Sequence, residues 1–283
     1  ANVFRVEDER SILVAESGLL SEPPAATLLR VAAGGHIPQP RQGPPITSRS
    51  SRAASPKISN AAKEHALAAM LNGVAGEGGQ SVKQLLIERG ALIVCLAIVK
   101  GSDISSNGLM WLRSATLLGR LASVESASRM LGAKQPLKCV LEQVQNLSNL
   151  VSAGTSDSRV FEASNQLVRV LALALGRRDP SVDAHVDADA VIRSLVNFLP
   201  APSVDGTEKR VTSRSVALAP PRGKFHAPLV AHTCKALSIV LSVNPRGVCA
   251  ALTKVEAVDR IVCAFANYGG KDAAEASVRK NSA

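Results

Sequence analysis

The stretch QLLIERGALIVCL, residues 84–96, has a near copy in AALTKVEAVDRIV, residues 250–262. The sequence before each matches too, without a gap. In AAMLNGVAGEGGQSVKQLLIERGALIVCL, residues 68–96, Met70, Leu71 and Val74 lie on one helical stripe. A glycine-rich break follows, then a short helix to Glu88 and a new helix from Gly90. In CKALSIVLSVNPRGVCAALTKVEAVDRIV, residues 234–262, the order is Ala236, Leu237, Val240, a break at Asn244 and Pro245, a short helix to Lys254, then Ala257 onward. A third copy runs from Leu117, Leu118 and Leu121 through Ser123 to MLGAKQPLKCVL, with Pro136 in the place of Ala91. A fourth runs from Leu167, Val168 and Leu171 to VDADAVIRSLV, with Ala190 at that place.

The marker positions Ala91, Pro136, Ala190 and Ala257 are spaced 45, 54 and 67 residues apart. The first spacing is close to the ~40 to 47 residues of two- and three-helix repeats. The last is longer because a basic, proline-rich stretch follows Pro200. Each copy is amphipathic on more than one face and cannot bury those faces alone, so neighbours must stack.

The pattern L-x-x-φ-A, break, short helix, G-A-φ-x-x-φ-φ, seen in residues 71–96, resembles armadillo repeats. In those repeats a short first helix, a second helix opening at the Gly-Ala and a long third helix form one unit. The resemblance covers residues 62–268 and implies an all-α fold, a right-handed α-solenoid of about four armadillo-like helical repeats with basic Pro-rich loops. Its third helices are expected near 62–75, 109–122, 160–174 and 229–241. On this reading residues 1–37 hold a partial N-terminal repeat, centred on 11–33, and 38–60 form a basic Pro/Ser-rich linker. Residues 61–270 form the solenoid with a loop insertion at 200–228, and 271–283 form a tail. Starting on a third helix, ending on a second and lacking an initiating Met all fit a piece of a longer solenoid.

Composition agrees with close-packed helices. The 283 residues are 46% hydrophobic but only 2% aromatic, so the core is built from Leu, Val, Ala and Ile. Large cofactor pockets want more rings than that, and no cofactor is expected. Cys95, Cys139, Cys234, Cys249 and Cys263 form no C-x-x-C pair and each lies among aliphatic residues. Reduced, buried thiols follow, and with them an intracellular location, cytoplasmic or cytoskeleton-associated. The longest uncharged apolar run, residues 90–99, is well short of the ~20 residues that span a bilayer. Glu7, Asp8 and Glu9 stand where a signal peptide or presequence would need cations.

The net charge of +10 is concentrated in two proline-rich stretches. One carries Arg41, Arg49, Arg52 and Lys57 without an acid, and the other Lys209, Arg210 and Arg214. Both read as flexible basic loops. Their hydroxyls, as at Ser55 three residues after Arg52, give Arg-x-x-Ser spacings at which phosphorylation would replace positive charge with negative.

The armadillo resemblance implies a groove along the third helices that takes extended peptides. Import receptors of that family place Trp and Asn there. The matching positions here are Gly73, Arg120, Val170 and Ile239, with Ala69, Thr116, Gln166 and Lys235 one turn earlier, so no Trp-Asn ladder exists. The candidate groove residues are instead Arg113, Thr116, Arg120, Arg159, Gln166, His232 and Lys235, with His65 nearby and Glu162 as the main acid. Aligned cations favour an acidic, extended protein partner; the competing reading is an ordinary solvated helix surface.

Chemistry is otherwise sparse. Asp183, His185, Asp187 and Asp189 are ligand types at alternate positions, but they lack a calcium-loop glycine and are explained by capping of the helix that follows. GVAGEGGQS, residues 73–81, has no phosphate-loop order, and no nucleophile, base and acid fall at catalytic spacing. Trp111 is expected to pack between repeats. The expected function is a non-catalytic protein-interaction scaffold within a larger assembly. Two alternatives stand beside it: a salt-dependent polyanion binder for nucleic acid or acidic tubulin-like tails, and an accessory domain of a larger enzyme. Nucleic acid is the less favoured partner because few aromatics interleave with the cations.

Overall fold

The computed structural model describes residues 22–34, 58–75, 79–102, 104–178, 188–200, 226–243, 252, 257–267, 276–277 and 280. Among the described residues the regular elements are eleven α-helices, so the fold is all-α. They are α1 (Glu22–Ala32), α2 (Asn60–Gly73), α3 (Gly79–Glu88), α4 (Ala91–Gly101), α5 (Ile104–Leu121), α6 (Glu125–Leu131), α7 (Lys134–Ser152), α8 (Ser158–Gly176), α9 (Ala188–Val196), α10 (His226–Val243) and α11 (Ala257–Asn267). The long helices α2, α5, α8 and α10 fall at the four places where the repeated pattern puts its third helices. The chain divides into two compact units, residues 1–127 and 128–283.

Local chemistry sets the helix ends. The Ser59 hydroxyl accepts from the Ala62 amide at 3.2 Å and caps α2. Gly90, at φ +87°, turns the chain between α3 and α4: its amide donates to the Ile87 carbonyl and its own carbonyl accepts from Ile93 and Val94. That left-handed conformation costs a glycine little, which is why a glycine suits the position just before Ala91, where α4 begins. Asp157 caps α8 by accepting from the Arg159 amide at 2.9 Å.

In the first unit α1 packs on α2 and α4, while α5 packs on α2 and α4. Leu29, Leu67, Met70, Leu86, Leu117, Leu118 and Leu121 are fully buried between these helices. Two hydrogen bonds fix the direction of the long pair. Arg113 donates to the Glu64 carbonyl at 2.7 Å and Arg120 to the Leu71 carbonyl at 2.8 Å, both across 49 residues. Two links seven residues apart at one offset require α2 and α5 to run parallel. Asn60 Nδ2 donates to Asn107 Oδ1 at 3.1 Å near their N-terminal ends. Asn107 (φ −128°, ψ 37°) interrupts the helical backbone, and α5 kinks there.

The second unit is arranged in the same way. Its long helices α8 and α10 pack together, α7 packs on α8 and α9, and α9 packs on α10 and α11. Leu137, Leu147, Leu167 and Leu171 are fully buried. Position 232 answers to 169 and position 239 to 176: Arg169 acts on the His232 charge, and a Cβ on Gly176 would stand 3.7 Å from Ile239 Cδ1. Equal offsets a heptad apart make α8 and α10 parallel too. On the other face Asn197 Nδ2 donates to Ser148 Oγ at 2.9 Å, joining α9 to α7, and Arg260 of α11 reaches the Leu199 carbonyl at 3.4 Å. Gly132 lies against the C-terminal end of α8, where a Cβ would come within 2.9 Å of the Ala174 carbonyl oxygen.

Of residues 11–33, where a partial unit is expected, only 22–33 are described, and they hold α1. Of the linker only 58–60 and of the insertion at 200–228 only 200 and 226–228 are described, and both stretches yield their last residues to helices, α2 from Asn60 and α10 from His226.

Candidate functional site

Each long helix buries two of its sides and leaves one edge in contact with solvent. On α5 that edge reads Leu109, Leu112, Arg113, Thr116 and Arg120, the three-and-four spacing of a single helical stripe. Leu109 is 45% exposed, and the others are half-buried. The bonds from Arg113 and Arg120 carry this edge onto α2. Leu71 lies in the last turn of α2, where the Ala75 amide bonds Asn72 instead, so the Arg120 guanidinium supplies the donor that the Leu71 carbonyl lacks. A cation at a helix C-terminus also opposes the helix dipole. Arg113 and Arg120 thus tie two helices together. Thr116 Oγ1 donates to the Leu112 carbonyl at 2.8 Å.

In the second unit the edge of α8 carries half-buried Glu162, Gln166 and Arg169, and that of α10 carries half-buried His232 with Lys235 exposed one turn on. Burial, the Arg169 guanidinium and then the Lys235 ammonium press the His232 imidazole down to about 4, so it is neutral at pH 7. Among the described residues the side chains of Arg169, His232 and Lys235 make no hydrogen bond and no ion pair. On this edge Arg169 and Lys235 flank the neutral His232, with Glu162 two turns before Arg169.

Arg159 behaves differently. Its guanidinium meets Asp157 at 2.8 Å, and the hydrogen bond between them holds the Asp157 carboxyl below its usual range. Its charge is matched at the cap of α8. Of the seven groove candidates, then, Gln166, His232 and Lys235 share the edge of one unit, and Arg113, Thr116 and Arg120 that of the other. Arg169 was missed because the repeat alignment put Val170 on the face; Val170 is fully buried, as is Ala69 at 1% exposure. The three-and-four spacing from Glu162 through Gln166 leads to Arg169 directly. The loop candidates Arg41, Arg49, Arg52, Lys57, Lys209, Arg210 and Arg214 lie outside the described residues.

Other chemistry-bearing groups serve the fold. Trp111 is 2% exposed and its Nε1 donates to the Val99 carbonyl at 3.0 Å. Burial pushes the thiols of Cys95 and Cys234 up to about 12 and about 11. Asp189 stands in the first turn of α9, while Asp183, His185 and Asp187 lie outside the described residues. Among the described residues no three His, Cys, Asp or Glu side chains gather as metal ligands. No helix among them is long and apolar enough to cross a membrane. A pocket of about 220 Å³ in the first unit has walls of Ala32, Ala33, Val94, Ala97, Ile98 and Met110, with Lys63 at its side. The Lys63 ammonium lies beside Gly34, just past the C-terminal end of α1, where it too opposes a helix dipole.

The chain matches no protein-family model, no curated protein and no solved structure.

Proposed function

We propose that this chain is an armadillo-like α-solenoid of about four repeats that serves as a non-catalytic docking scaffold for a protein partner. The edges of the parallel helices α8 and α10 form the docking face, and the partner offers an acidic, extended segment. The observation that carries this reading is that Arg169 and Lys235, on either side of the neutral His232 across α8 and α10, make no ion pair among the described residues. A fold that needed these cations for itself would pair them, as it pairs Arg159 with Asp157 and Arg120 with a helix carbonyl. Left unmatched on neighbouring helices, they gain most from carboxylates on another chain. Extended segments suit such a face because they can follow several helix edges in turn.

The test is a nuclease-treated pull-down from native lysate at low and near-physiological salt, comparing wild type with the Arg169→Glu, Lys235→Glu double variant. Arg113 and Arg120 are unsuited to charge reversal because both bond across the α2–α5 interface. A discrete protein set that withstands salt and is lost in the variant supports the scaffold. Broad capture that disappears with salt and ignores the variant would mean a polyanion-binding protein instead.

A further inference from the structure

The sequence holds two Asn-Gly pairs, Asn72–Gly73 and Asn107–Gly108. Asparagine before glycine is the pair best suited to intramolecular attack, because the next amide nitrogen can approach the side-chain carbonyl carbon and no Cβ stands in its way. A helical backbone prevents this, since it fixes ψ at about −42° and directs each amide along the helix axis. Asn72 keeps that backbone in the last turn of α2, where its carbonyl accepts from the Ala75 amide. Asn107 does not. Its ψ of 37° turns the Gly108 amide by about 80° from the helical direction.

The Asn107 carboxamide is also held for reaction. Its Oδ1, on which negative charge develops during attack, accepts from Asn60 Nδ2 at 3.1 Å. Its Nδ2, the leaving nitrogen, donates to Ser106 Oγ at 3.2 Å. Once attack makes that nitrogen tetrahedral it carries a lone pair, and the Ser106 hydroxyl is in place to give it a proton. Asn60 and Ser106 are exposed and Asn107 is half-buried, so water reaches the group.

We propose that Asn107 is a self-modifying site, converted through a cyclic imide to aspartate and isoaspartate with the help of Asn60 and Ser106. The Gly108 nitrogen loses its proton to hydroxide and bonds to the Asn107 Cγ. The Cγ–Nδ2 bond breaks, and Nδ2, protonated through Ser106 with water restoring the hydroxyl, leaves as ammonia. Water then opens the imide ring. Opening at Cγ leaves an aspartate at position 107, whereas opening at the main-chain carbonyl leaves isoaspartate and lengthens the backbone by a methylene at the kink of α5. The aspartate still accepts from Asn60 but no longer donates to Ser106, and it places a negative charge where the helix resumes at Gly108, an end whose dipole favours it. The conversion rewrites the junction between α2 and α5 near their N-terminal ends. It does not depend on the acidic-partner reading, and either can fail alone.

The experiment incubates the full chain under native conditions at neutral and mildly alkaline pH, beside the chain unfolded in urea. Peptide mass mapping that separates isoaspartate from aspartate follows both pairs, with Asn72 as the internal reference. In the native chain conversion at Asn107 is expected to outpace that at Asn72 roughly tenfold and to quicken with pH. In urea the two rates converge, because only local sequence is then left. Asn60→Asp keeps the side-chain size and removes the donor at Oδ1; it should slow Asn107 by at least about threefold, less than a buried oxyanion donor is worth, and leave Asn72 unchanged. Ser106→Ala should slow Asn107 as well. A native Asn107 that stays intact, or converts no faster than Asn72, overturns the proposal. So does an unchanged rate in both variants. Faster conversion at both pairs in Asn60→Asp also overturns it, since the bond between Asn60 and Asn107 would then be holding the fold and not assisting the reaction.

Discussion

At the scale of single residues, the fate of each cation is set by what lies beside it. Arg120 and Lys235 are both cations of the mapped face, yet Arg120 donates to the Leu71 carbonyl while Lys235 is exposed and has no partner among the described residues. Arg120→Ala is expected to lower stability by about 1.5–3 kcal/mol, the range for a hydrogen bond with one charged partner, whereas Lys235→Ala leaves it within about 0.5 kcal/mol. Urea unfolding of the two variants side by side checks this. His232 gives a pH signature. Its ordinary value of 6.5 falls to about 4 in the fold, so between those values the unfolded chain takes up a proton that the native chain does not. Stability contributed by neutral His232 is therefore complete above about pH 6.5 and declines as pH falls toward 4, by at most about 3 kcal/mol before solvent screening reduces it. The Asn or Gln variant at this position should flatten that part of the pH–stability curve; an unchanged curve would mean that His232 is not buried among these cations. The thiols divide by burial: Cys95 is completely enclosed, while Cys139 and Cys263 are half-exposed. Native-state alkylation followed by peptide mapping should modify Cys263 well before Cys95, which becomes reactive only on unfolding.

At the scale of elements, the helices rest on Leu, Val and Ala stripes whose removal leaves cavities. Leu171, fully buried in α8 where that helix meets α7 and α10, should cost about 2–5 kcal/mol on truncation to Ala, measured by chemical denaturation. Most of this level was legible in the sequence. The repeated QLLIERGALIVCL pattern located α3 and α4 and the turn at Gly90, because an apolar period and a left-handed glycine are local properties of a few residues. The four long helices followed from the same register. What was not legible was side-chain direction within a helix. One residue of rotation, about 100°, separates Val170 from Arg169, and the interval between the copies drifts with loop length, from 49 residues between α2 and α5 to 63 between α8 and α10. Nor could the pattern distinguish a cation on an open edge from one bonded to a neighbouring helix's carbonyl, since that depends on where a backbone 49 residues away comes to lie.

At the scale of the whole molecule, the sequence carries far more positive than negative charge, +10 over 283 residues, on a framework whose core is almost wholly aliphatic. Each unit holds a pair of long parallel helices, α2 with α5 and α8 with α10, packed against other helices, and the second unit has a third long helix in α7. The claim on which the functional reading depends is that the Arg169, His232 and Lys235 strip takes carboxylates from an extended segment. The most direct measurement is the NMR titration of the His232 ring in the full chain, alone and saturated with a synthetic peptide carrying Glu or Asp at every third position. The free ring is predicted to titrate near 4. Carboxylates placed beside it must favour the imidazolium, so the bound ring should titrate about one unit higher or more, with affinity rising as pH falls through that range. A His232 titration that is the same with and without the peptide would contradict the account, whether or not the peptide binds elsewhere on the chain.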